Sequence, residues 1–78
     1  MNITDFIKNF ADQFDDTEAS VFNENTNFKE LEEYSSLTAL NIISMVDDEY
    51  NVYLKGDDIR NSNTIAELYK IVESRIGE

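Results

Sequence analysis

Apolar residues recur at Ile3, Phe6, Ile7, Phe10, Ala11 and Phe14, the i, i+3, i+4, i+7, i+8 and i+11 positions that make one face of an amphipathic helix. Asn2 stands in front of them as the expected N-cap. From Asp15 to Ser35 the period is lost in a stretch rich in Asn, Asp and Glu, about twenty residues that are long for a connection in so short a chain. Val21, Phe22, Phe28, Leu31 and Tyr34 interrupt that stretch, and a solvated linker has no use for large apolar side chains, so it is expected to be ordered. Periodicity returns from about Ser36 to Tyr50, with Asn51 placed to take the left-handed conformation that ends a helix. Val52 and Leu54 then offer two apolar anchors in a loop, and GDDIRN predicts a single short helical turn capped by Asp57. A capping box from Thr64 to Glu67 opens the last helix, which is expected to bury Ile65, Leu68, Val72 and Ile76, with Ile71 beside them. No alternating strand pattern, internal repeat or proline occurs. The expected fold is all-α: residues 1–78 as a single domain, a small bundle of three main helices plus one short helix.

Turning the second helix at about 100° per residue places Ala39, Ile42, Ile43, Val46 and Tyr50 within about 60° of one direction, the expected buried stripe. Leu37 falls about 160° from it and Leu40 about 100°, with Asn41, Ser44 and Asp48 on the same outer side. A single exposed leucine is ordinary. Two of them, on a helix that already has enough apolar residues to bury, suggest a docking patch. Asp47, Asp48 and Glu49 crowd the C-terminal end of the helix, where the dipole disfavours each negative charge by roughly 0.3 to 1 kcal/mol. That placement favours a role in meeting basic partners over a purely structural one. The acids do not recur at alternate positions and the required glycine is missing, so a calcium-binding EF-hand loop is excluded.

Composition narrows the chemistry. The chain has 17 Asp and Glu against 6 Lys and Arg, a formal charge of -11, so long-range repulsion opposes contact with nucleic acid or anionic lipid. The same self-repulsion costs stability, and added salt is expected to raise the melting temperature. With no Cys there is neither disulfide nor thiolate chemistry, and with no His the usual general base and the commonest metal ligand are gone. An enzyme would have to rely on carboxylates, Lys or Tyr. No run of 18 apolar residues exists, and the first ten residues lack the basic start and apolar core of a secretion signal, so the expected location is the cytoplasm.

Two serines precede Leu37. Either Ser35 or Ser36 can cap the helix, the commonest structural reason for a serine at this place. If Ser35 does so, Ser36 becomes the first helical residue with its hydroxyl directed outwards, and a phosphate attached there would sit at the positive end of the helix.

Taken together, the residues resemble the acyl carrier protein family over nearly the whole chain. An amphipathic first helix and long loop lead to SSLTALNIISMVDDEYNVYL, then a short third helix and NTIAELYKIV. In that family a D-S-L motif opens the second helix and its serine carries 4'-phosphopantetheine; acids, an aromatic residue and a spaced apolar pair follow. Ser36, Leu37, the acids Asp47 to Glu49, Tyr50, Val52 and Leu54 stand at matching positions, and Thr64, Ile65 and Leu68 match the start of the family's last helix. The resemblance implies a non-catalytic, monomeric shuttle. A phosphopantetheinyl transferase would attach the arm to Ser36, and the arm's thiol would hold an acyl group as a thioester, as in fatty acid, polyketide or related biosynthesis. Leu37, Leu40, Asn41, Ser44, Asp47 and Asp48 would form the surface read by the transferase and by acyl-processing enzymes with basic docking patches, with no nucleic acid or membrane among the partners. The chain departs from the family in having Ser35 for the motif's Asp, Glu33 and Tyr34 for its usual Gly-Ala, Leu31 one residue early, and neutral Thr38 and Asn41 where acids are common.

Three other readings compete. A carrier-like acidic module would use the same helix to hold a basic partner without taking the arm. A small hydrolase or lyase would use carboxylates and Tyr, with no His, Cys or glycine-rich loop to help. An acidic nucleic-acid mimic would spread its acids over the whole surface, whereas here they share one helix with exposed leucines.

Overall fold

The computed structural model describes residues 1–76. Four α-helices follow one another among them: α1 (Ile3–Ala11), α2 (Ser36–Tyr50), α3 (Gly56–Arg60) and α4 (Ile65–Arg75). They form the small all-α bundle that the apolar periodicity predicts. No helix among the described residues is long and apolar enough to cross a membrane.

The helix ends follow from local chemistry. Asn2 accepts the backbone N–H groups of Thr4 and Asp5 at the start of α1, satisfying donors that have no partner within the helix. Asn51 ends α2 at φ 56°, in the left-handed region that Asn tolerates better than most residues. Thr64 and Glu67 form the reciprocal capping box of α4. At α3 the expectation fails. Asp57 lies inside the first turn and pairs with exposed Arg60, while Asp58 accepts the N–H of Lys55 at 2.8 Å. The same Asp58 carboxylate binds both terminal nitrogens of Arg75 at 2.6 Å, so it joins the entry of α3 to the last turn of α4.

Phenylalanines dominate one end of the core. The Phe10 ring meets Phe14, Phe22 and Phe28 at centroid separations of 5.6, 6.2 and 5.2 Å, in stacked, tilted and edge-on arrangements respectively. Phe14 belongs to this cluster although α1 has already ended. The long connection is indeed ordered: it holds two 3-10 turns, Ala19–Val21 and Phe28–Glu30, with Phe22 buried just after the first and Phe28 buried in the second. Leu31 and Tyr34 are half-buried, whereas Val21 is exposed. The loop also serves α4, since the carbonyls of Thr26 and Glu24 accept the N–H groups of Ile65 and Ala66. Backbone donors that a helix start cannot satisfy internally are thereby paired.

The buried stripe of α2 is rotated from its expected direction. Thr38, Ile42, Met45 and Val46 are buried, while Ala39, Ile43 and Tyr50 are half-buried. Thr38 can enter the interior because its hydroxyl donates to the carbonyl of Glu33 at 3.0 Å, removing the cost of an unpaired polar group. On α4, Ile65, Leu68 and Val72 are buried and Ile71 is half-buried, as expected. Ile76 is not: it follows the helix with an extended backbone and is 44% exposed.

Candidate functional site at the start of α2

The turn before α2 fixes which of the two exposed serines caps the helix. Ser35 has an extended backbone, and its Oγ accepts the N–H of Thr38 at 3.4 Å and lies 3.2 Å from the Thr38 hydroxyl. Ser35 is therefore the cap, and Ser36 is the exposed first residue of α2. No acid occupies the first turn of this helix, so the positive end of its dipole carries no side-chain anion there.

Glu33, one of the residues that departs from the carrier pattern, organises this region. Its carboxylate accepts the N–H groups of Asp15 and Asp16 at 2.7 and 3.0 Å and the hydroxyl of Thr17 at 2.7 Å. The Thr17 hydroxyl foremost, with those amides, holds the Glu33 carboxyl below the usual glutamate range against an opposing desolvation effect. One residue thus ties the exit of α1 to the entry of α2 through both side chain and carbonyl. Its isolated position in a polar stretch gave no periodic signal of this role.

Leu37 is 68% and Leu40 62% exposed. Three residues apart, they are surface neighbours one turn along the helix. Asn41, Ser44, Asp47, Asp48 and Glu49 are also exposed. The structure brings four of these, Asn41, Ser44, Asp48 and Glu49, to the edge of an open polar groove of about 560 Å³. Asn9, Asp12 and Gln13 of α1 form its other bank. The polar surface of α2 is therefore continuous with α1, a relation that a wheel drawn for one helix cannot display. Asn9 and Tyr50 close that junction with a 2.9 Å hydrogen bond.

A second cleft, of about 330 Å³, is bordered by Ser36. Ala39 and Ile43 of α2, Tyr34, and Gly56 and Ile59 of α3 line it, and Ser36, Lys29 and Arg60 complete its boundary. Ala39 and Ile43, which pack against the edge of the core, thus also border an apolar recess. Burial raises the pKa of the Tyr34 phenol.

No group of three or more acidic, histidine or cysteine side chains among the described residues is placed to hold a metal ion. Comparison of the chain with protein-family models, curated proteins and solved structures yields no match.

Proposed function

We propose that this chain is an acyl carrier, holding acyl intermediates as thioesters on a 4'-phosphopantetheine arm joined to Ser36. The single observation that carries the reading is the division of labour between the serines: Ser35 caps α2, which leaves Ser36 as an exposed residue at the helix start. A phosphodiester on that oxygen would lie where the helix dipole and the unpaired N–H groups favour an anion. The arm supplies the thiol that a chain without cysteine lacks. Its acyl group would have the apolar cleft beside Ser36 as shelter. Around the attachment point, Leu37 and Leu40 supply apolar grip, while Asp47 and Asp48 supply charge for transferase and acyl-processing enzymes with basic surfaces. The chain itself performs no bond chemistry in this scheme; it presents, shelters and delivers.

The test is intact mass measurement after incubation with coenzyme A and broad-specificity phosphopantetheinyl transferases. One added phosphopantetheine is expected on the native chain and on Ser35→Ala, and none on Ser36→Ala. A chain left unmodified by several active transferases would instead be an acidic interaction module using the same face of α2.

A further inference from the structure

The apolar cleft beside Ser36 has a charged margin that an ordinary hydrocarbon site does not need. Ala39, Ile43, Ile59 and the Tyr34 ring make its walls, yet two of the chain's six basic residues, Lys29 and Arg60, stand at its boundary. Lys29 is anchored there, because its Nζ donates to the Arg60 carbonyl at 2.6 Å. The Arg60 guanidinium uses Nη1 to meet Asp57 at 2.8 Å. Its Nη2 lies over the cleft wall, 3.9 Å from where a β-carbon on Gly56 would stand. The Asn63 and Thr64 amides foremost, and the Lys29 charge with them, lower the Glu67 pKa, so neither cation lacks anionic neighbours, but both stand at the boundary of the cleft.

We infer that this cleft takes short acyl groups ending in a carboxylate, the apolar walls holding the methylenes and the Arg60–Lys29 margin receiving the anion. The wall that α2 contributes, from Ser36 to Ile43, covers seven helical steps, about 10 Å, which suits a short chain. Over the rest of a molecule of net charge -11 an added carboxylate is repelled; Arg60 and Lys29 set two positive charges against that repulsion at the cleft margin. Arg can add bidentate geometry to that attraction. The inference deepens the proposed carrier role by naming its cargo class.

The experiment avoids dependence on a transferase. Because the chain has no cysteine, Ser36→Cys supplies a unique thiol, to which 6-mercaptohexanoate or hexanethiol is joined as a mixed disulfide. With the carboxyl carbon isotopically labelled, its pKa is read by NMR and compared with that of the same disulfide on glutathione. A pKa below that reference is expected, with a melting temperature about 2–4 °C above that of the hexyl adduct; both differences should disappear in Arg60→Gln combined with Lys29→Gln. A carboxyl pKa at or above the reference, equal or greater stabilisation by the hexyl group, or differences that survive the double substitution would overturn the inference. If the double variant does not fold, the pKa on the Ser36→Cys chain alone decides. These readouts hold whether or not Ser36 accepts phosphopantetheine, so the cargo inference and the carrier reading fail separately.

Discussion

Asp58 and Arg75, seventeen residues apart, meet through paired 2.6 Å bonds while Asp58 also accepts the N–H of Lys55. A five-residue helix cannot hold itself together, because nucleation fixes several residues for very few hydrogen bonds. The position of α3 consequently rests on this carboxylate and on buried Ile59. Asp58→Ala is expected to lower stability by about 1–3 kcal/mol through loss of the cap and the charge-assisted bonds, measured by urea unfolding. The Arg75 hydrogen bond is the main cause that lowers the Asp58 pKa in the folded chain. Its stabilisation is therefore full above the unfolded-state value and is lost as pH falls through the folded one. Acid unfolding of the Asp58→Ala chain should lack this component.

Glu33 gives a second acid-sensitive joint, one that acts locally. Its folded pKa is lowered by the Thr17 hydroxyl and the amides of Asp15 and Asp16, so its hold on residues 15–17 is present above the unfolded glutamate value and disappears as pH drops through the folded value. Glu33→Gln should leave the helices intact while increasing amide exchange at Asp15 and Asp16 at neutral pH. Unchanged exchange at those two amides would show that the backbone turn holds without the carboxylate.

Adjacent isoleucines on α2 should respond very differently to truncation. Ile42 is fully buried in the core, whereas Ile43 is half-buried and borders the cleft beside Ser36. Ile42→Ala is expected to cost about 2–5 kcal/mol. Ile43→Ala removes fewer contacts and enlarges a recess already open to water, so its cost should be the smaller of the two. Denaturant midpoints at constant slope provide the measurement.

Those isoleucines also show what was legible in the chain. Helix ends that depend on one or two neighbouring residues were readable: Asn2, Asn51 and the Thr64–Glu67 box each act through local geometry. Between Ser35 and Ser36 the sequence left the cap of α2 open, and the Thr38 N–H on the Ser35 Oγ decides it. The exact inward direction of α2 was not readable, because a wheel weighs apolar side chains only. It gave Thr38 no reason to enter the core before the Glu33 carbonyl was there to receive its hydroxyl, and it could not foresee a cleft bordered by Ala39 and Ile43. Likewise, Asp57 and Asp58 are equivalent as letters; the distant Arg75 distinguishes them.

The outer face of α2 should separate function from stability. Leu37→Ala removes a side chain that is mostly in water, and Asp48→Lys reverses an exposed charge, so each should change stability by no more than about 0.5 kcal/mol. On the carrier reading both should slow loading by a transferase or reaction with an acyl-processing enzyme. Initial loading rates alongside melting curves provide the comparison; slow loading accompanied by an equal loss of stability would assign these residues to the fold instead.

Salt dependence tests the opposition between long-range repulsion and local pairing. The ion pairs Arg60–Asp57 and Arg75–Asp58 weaken when screened, which by itself would lower the melting temperature. The first joins side chains that are both about three-quarters exposed, a kind of pair that contributes at most about 1 kcal/mol. Against this stands a net charge of -11 in a body measuring 33 × 23 × 20 Å, dimensions over which a Debye length of about 10 Å at 0.1 M salt screens most acid–acid pairs. Repulsion is distributed over many pairs and pairing over few, so the melting temperature should rise from low to moderate sodium chloride concentrations. The rise should be steeper in Asp58→Ala, which has lost the bidentate pair that salt would otherwise weaken. A temperature that stays flat or falls in the native chain would mean that local pairing outweighs the repulsion among the acids.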